Sequence, residues 1–147
     1  YHIKEIYTSE KERAWETARI IGNVLGITPK VAKGLEEICL GKWEGHTWKQ
    51  VKEQFSEEFA LWHSDRRHQV PPMGESYQQL LDRLLPAIDD IIKKEQQDTL
   101  IVTHSGVIMT LLSYIYDTPF EDMARNYKTG NAKIVELDKE MFYKRYL

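Results

Sequence analysis

Thr99 to Gly106 read TLIVTHSG, and that stretch decides the fold. The apolar run from Thr99 to Thr103 has the character of a strand buried on both faces of a parallel sheet. A helix is expected to follow at once, from Ser105 to Tyr116. His104 then falls in a strand-to-helix turn, at the carboxyl edge where open α/β sheets bind ligands. The amides of Ser105, Gly106 and Val107 would face that edge, and helix N-termini favour anions. The same spacing suits a histidine merely packed at a strand end, so the residues alone leave both readings open.

Working outward, EIYTS (Glu5 to Ser9) reads as a second short strand. Ser9 precedes Glu12 by three, an S-x-x-E pattern that predicts a capped helix from about Glu10. Ala14, Ala18, Ile21 and Leu25 share one face of it, and Gly26 is placed to stop it. Pro29 to Ala32 reads as a further short strand, and Gly34 to Gly45 as irregular. Two short helices are expected over Thr47 to Phe55, with a T-x-x-Q box, and over Glu57 to His63. Asp65 to Gly74 is a polar, proline-bearing loop expected to lie over the site. Glu75 to Lys94 is amphipathic, with Pro86 expected to kink or divide it. Thr118-Pro119 reads as an N-cap with proline at the first helical position. Asn131 to Leu137 and Met141 to Tyr146 read as a terminal β-hairpin. The alternation of strands and helices predicts an α/β fold, a mainly parallel sheet flanked by helices on both faces.

The 147 residues carry no repeat, linker or low-complexity segment and read as a single domain. At 41% hydrophobic and 29% charged, the composition is that of an ordinary globular protein. A net charge of -3 gives no basic footprint for nucleic acid. No apolar run approaches the roughly 20 residues of a membrane helix, and no signal-peptide pattern opens the chain. Cys39 is the one cysteine, which suits a reducing, cytoplasmic compartment and reads as a buried free thiol. His63 and His68 stand five apart with no cysteine or acid cluster beside them, so no metal site is expected.

Three segments together resemble the histidine phosphatase superfamily, the phosphoglycerate-mutase-like enzymes. SEKERAWETA (Ser9 to Ala18) is similar to that family's Ser-x-x-x-Arg-Ala-x-x-Thr-Ala. LEEICLGKWEG (Leu35 to Gly45) resembles its Leu-x-Glu followed by Gly-x-Trp-Glu-Gly. VTHSG (Val102 to Gly106) resembles the turn that carries its second histidine, with Ser105 in place of the more common glycine. Gly74-Glu75-Ser76 matches a further family segment, for which a structural role is expected. By this resemblance Arg13 is a phosphate-binding arginine, and His104, with Ser105 beside it, binds the transferring phosphoryl group. Glu37 is then the general acid and base, while Arg66, Arg67 and His68 are candidates for substrate contact from the lid loop. Members place the nucleophilic histidine in an Arg-His-Gly motif after a first strand. That tripeptide does not occur in these residues. The chain opens at Tyr1 without methionine and soon enters an apolar segment. The domain is therefore expected to be N-terminally incomplete, short of its first strand and of a βα unit of roughly 30–45 residues.

The resemblance implies a phosphoric monoester hydrolase that needs no metal or organic cofactor and works through a phosphohistidine on a small phosphorylated metabolite. The short interval between Glu37 and His104 resembles the phosphatase branch. A phosphoglycerate mutase and a non-catalytic member that binds phosphate ligands or acts as a scaffold are the alternatives. Ser105 as a hydrolase nucleophile is a further option, without the G-x-S-x-G elbow such enzymes use. The oligomeric state is left open.

Overall fold

The structure is a computed structural model that describes residues 1–146. Three strands, β1 (Glu5–Thr8), β2 (Lys30–Val31) and β3 (Thr99–Val102), form a parallel sheet in the order β2-β1-β3. Seven α-helices accompany them among the described residues. They are α1 (Glu12–Leu25), α2 (Trp48–Gln54), α3 (Ser56–Ser64), α4 (Tyr77–Lys94), α5 (Ser105–Ile115), α6 (Met123–Tyr127) and α7 (Lys139–Tyr146). On β1 the neighbours Ile6, Tyr7 and Thr8 are all buried. Successive side chains of a strand point to opposite faces, so both faces of the central strand are covered.

The register of the sheet builds the site. Thr8 pairs with Val102, and the Ser9 N–H donates to the Val102 carbonyl at 3.1 Å. Ser9 and His104 therefore leave adjacent strands side by side at the same carboxyl edge.

The largest core surface belongs to α4, which buries Leu80, Leu81, Leu84, Leu85, Ile88 and Ile91 along one side. Its entry is set by Ser76, whose hydroxyl accepts the Gln79 N–H while the Gln79 side chain accepts the Ser76 N–H. The same reciprocal box, Thr47 with Gln50, opens α2 as the sequence predicts. Gly26 ends α1 in the left-handed conformation, also as predicted.

Five local expectations are corrected. The S-x-x-E box does not form. Helix α1 starts at Glu12 after Lys11, which makes no side-chain cap, because the Ser9 hydroxyl is engaged with Lys11 N–H and His104. Pro86 does not divide α4, which runs unbroken past it. Pro86 and Asp82 are exposed, so water can satisfy the carbonyl that loses its partner, while the buried leucines on either side hold the helix together. Thr118 does not cap a helix; Pro119 precedes a 3-10 turn, Phe120–Asp122, that leads into α6.

The terminal hairpin is absent. Residues 132–138 are irregular and Met141 to Tyr146 belong to α7. The Asp138 carboxylate accepts the Glu140 N–H at 2.7 Å, an N-cap interaction. Phe142 is fully buried and Tyr143 donates to Asp89 on α4 at 2.7 Å. Tertiary packing on α4 and α5 overrides the strand propensity of these aromatics. Finally, Cys39 is exposed. Its N–H and carbonyl are both bonded to Glu75, which fixes the backbone without burying the thiol.

Candidate active site

His104 is buried at the N-terminus of α5, with Nε2 at 2.9 Å from the buried Ser9 hydroxyl. The preceding Thr103 hydroxyl donates to the Leu35 carbonyl at 2.6 Å, which draws the loop after β2 over the turn. That loop delivers Glu37. One of its carboxylate oxygens accepts its neighbour's amide, Ile38 N–H, at 2.9 Å. The other accepts the Gly106 N–H at 3.1 Å. A carboxylate thus occupies the positive end of α5, where free amides and the helix dipole hold an anion.

Gly106 makes this possible. A Cβ at that position would stand 2.4 Å from a Glu37 carboxylate oxygen, so only glycine leaves room for the acid.

Burial holds His104 below its ordinary pKa, the Glu37 charge opposes that shift, and the Arg13 and Lys11 charges add to it. The histidine is therefore poised as a neutral imidazole near neutral pH. Arg13 stands in the first turn of α1, exposed, and its guanidinium donates to no protein group among the described residues. Ser105 is exposed at the start of α5, with its amide among the free donors of the helix end. The arrangement brings together a neutral histidine, a carboxylate, a free guanidinium and a helix N-terminus. Those groups can bind an anion and move a proton beside it.

Arg66, Arg67 and His68 are placed differently. They line a cavity of about 420 Å³ toward the other end of α5, with Ser113, Tyr114 and Arg145, and His104, Glu37 and Arg13 are not in its wall. Arg66 lies over the Trp62 ring at 4.2 Å, Arg67 donates to Gln78 at 2.8 Å, and His68 pairs with Asp65 at 3.1 Å. Tyr77 is a buried phenol whose pKa is raised, first by desolvation, with the Arg66 charge opposing the rise and the Glu37 charge adding to it. Among the described residues no cluster of histidine, cysteine and acidic side chains suits a metal.

Sequence reasoning missed two members. The S-x-x-E pattern points Ser9 to a helix cap, whereas its place at the end of β1, a strand neighbouring TLIVT, is the signal that sets it beside His104. Arg83 sits among the leucines of α4, and a charge in that position is itself a sign of a buried partner.

The sequence pattern of the histidine phosphatase superfamily, branch 1, matches residues 1–143. The chain belongs to that superfamily. Among curated relatives it is 34% identical over 119 residues to chicken (Gallus gallus) 6-phosphofructo-2-kinase/fructose-2,6-bisphosphatase, covering 81% of this chain and 24% of the relative. The human form 1 of that protein is 33% identical over the same length, again with 81% and 24% covered. The chain thus spans about a quarter of the length of these relatives.

Among solved structures, YhfR of Bacillus stearothermophilus is 32% identical with a TM-score of 0.72, covering 83% of this chain and 61% of that one. The α-ribazole phosphatase of Shigella flexneri is 28% identical with a TM-score of 0.68, covering 82% and 60%. Mycobacterial glucosyl-3-phosphoglycerate phosphatase, at 24% identity, shares the fold with a TM-score of 0.75 over 90% of this chain and 66% of that one. The mixed α/β architecture expected from the sequence is the one these structures display.

Proposed function

We propose that the protein is a phosphoric monoester hydrolase that acts on a small phosphorylated metabolite through a phosphohistidine. The observation that carries this reading is the Glu37 carboxylate on the Gly106 amide, 3.1 Å away at the N-terminus of α5. It sets a proton-transfer group beside an anion-binding helix end and a buried neutral histidine. The phosphatase names of the bifunctional kinase/bisphosphatase and of the α-ribazole phosphatase support the same reading.

In the proposed mechanism a histidine nitrogen attacks phosphorus and the P–O bond to the leaving group breaks. Arg13, the Ser105 amide and His104 hold the phosphoryl oxygens and spread their charge. Protonated Glu37 gives its proton to the leaving oxygen. The resulting carboxylate then takes a proton from water, whose oxygen attacks the phosphohistidine, and inorganic phosphate leaves with the histidine regenerated. Of the histidines in these residues only His104 belongs to the cluster, and its Nε2 is engaged with Ser9. The nucleophile is therefore assigned not to His104 but to the Arg-His-Gly histidine that the family resemblance implies, which these 147 residues do not carry. Arg66, whose charge reaches the Tyr77 hydroxyl together with that of Glu37, is the member of the 66–68 cluster proposed to meet a distal anionic group, with Arg67 and His68 behind it. A cytoplasmic, metal-independent enzyme completes the reading.

The test uses the full natural polypeptide, its length fixed by intact mass, and a simple aryl phosphate. Hydrolysis that persists in EDTA and is lost in His104→Ala and Arg13→Ala is the expected result. Phosphate binding without hydrolysis would instead select the non-catalytic reading. Phosphoryl exchange between positions of one substrate, without net hydrolysis, would select a mutase.

A further inference from the structure

The guanidinium of Arg83, on α4, is fully used. It has five N–H donors, and five hydrogen bonds reach it. Nε donates to Glu75 Oε2 at 3.2 Å and Nη2 to Glu75 Oε1 at 2.5 Å, a two-point pair. Nη1 donates to the Gly34 carbonyl at 2.9 Å and to Glu36 Oε2 at 3.4 Å. Nη2 also donates to the Glu37 carbonyl at 3.2 Å. Two of these acceptor atoms are bonded a second time, each by a backbone N–H of the loop after β2. Glu36 Oε2 accepts the Gly34 N–H at 2.8 Å, and Glu75 Oε1 accepts the Cys39 N–H at 3.0 Å.

These bonds fix the backbone on both sides of Glu37, a segment with no helix or strand of its own. The loop also crosses α4 at this point. Gly34 has φ +100, and a Cβ there would lie 2.5 Å from the Arg83 carbonyl. The backbone can therefore come down onto α4 only at a glycine, within reach of the guanidinium. Arg83, Glu36 and Glu75 are each largely withdrawn from solvent, where such charge-assisted bonds are stronger than at the surface.

We propose that Arg83 is a positioning residue for Glu37: by clamping Gly34, Glu36, the Glu37 carbonyl and Glu75, it holds the Glu37 carboxylate on the Gly106 amide. The inference deepens the proposed function and rests on it for the role of Glu37, but its test does not depend on turnover. Lysine cannot replace the arginine here, since its three donors radiate from one point and cannot span four acceptor groups.

The experiment is NMR on the protein with Arg83→Lys and, separately, Glu75→Gln. The signals are the Gly106 amide and the His104 titration midpoint. In both variants the Gly106 amide is expected to shift and lose protection from exchange. The His104 midpoint is expected to fall, because the nearby Glu37 charge favours the imidazolium. In the Glu37→Gln background, adding Arg83→Lys should produce no further change in that midpoint. A merely structural clamp would lower the unfolding midpoint while leaving both signals in place, and that result would overturn the proposal. So would loss of the fold in both variants. If the signals move as expected yet the full-length protein hydrolyses no phosphate ester, the enzyme reading falls and the positioning role stands.

Discussion

The carboxylate of Glu37 accepts the backbone N–H of Gly106 across 69 residues of sequence, joining the loop after β2 to the first turn of α5. The contact places an acid where the helix end would otherwise meet solvent or a ligand. It also couples the site to a residue chosen for its lack of a side chain.

Gly106→Ala separates site from fold. The new methyl would meet a carboxylate oxygen at the end of a flexible side chain, so Glu37 swings away while the backbone stays. Alanine in a helix is favoured over glycine by roughly 0.5–1 kcal/mol. The expected outcome is an unfolding midpoint in urea that holds or rises, together with weaker phosphate binding and lost hydrolysis in the full-length protein. A variant that unfolds early while binding phosphate normally would contradict this account of the contact.

His104 links pH to stability. Its folded pKa lies below the ordinary 6.5, first because of burial. Between the two values the unfolded chain binds more protons than the folded one, so stability falls as pH drops through that window and is untouched above it. One such group contributes a slope of at most about 1.4 kcal/mol per pH unit. Urea midpoints of the protein and of His104→Gln, compared from neutral pH downward, should therefore converge or cross on the acid side of 6.5. Parallel curves would show that the histidine is not desolvated.

Arg13 is exposed and donates to no protein group among the described residues, so its removal should leave stability within about 0.5 kcal/mol. Phosphate or vanadate affinity should nevertheless drop roughly tenfold or more in Arg13→Ala, the effect of losing charge-assisted bonds to an anion. Arg19, paired with Glu16 on the same helix at 2.8 Å, is the control. If Arg19→Ala weakens binding equally, the helix contributes only diffuse charge.

How far the sequence alone reached depends on the range of each interaction. Local signals were legible: the Thr47–Gln50 box, the Gly26 stop, and the TLIVTHSG strand-to-helix turn all rest on neighbouring residues. Arg13, Glu37 and His104 came from resemblance as candidates; the register of β1 on β3 sets Ser9 beside His104, and the Thr103–Leu35 and Gly106–Glu37 bonds bring in the Glu37 loop. Long-range competition was not legible. Ser9 had two available partners, a helix end and His104, and only the pairing of Thr8 with Val102 decides between them. Phe142 and Tyr143 suit a strand by propensity, yet burial of Phe142 and the bond from Tyr143 to Asp89 make them helical. The Arg83 clamp draws on Gly34, Glu36, Glu37 and Glu75, which no local pattern unites.

The bond between Ser9 and His104 makes the last prediction. Ser9 is fully buried, and its oxygen already accepts the Lys11 N–H at 3.1 Å. Its own hydroxyl proton is then free to be donated to His104 Nε2, which requires the neutral ring to carry its proton on Nδ1. Ser9→Ala would leave both the Lys11 amide and Nε2 without this partner, at a cost of about 1–3 kcal/mol. Nitrogen chemical shifts of the imidazole should report the Nδ1–H tautomer in the natural protein and a shift toward Nε2–H in the variant. If the tautomer is unchanged by the substitution, Ser9 does not set the protonation of the site, and His104 must be oriented from its other nitrogen instead.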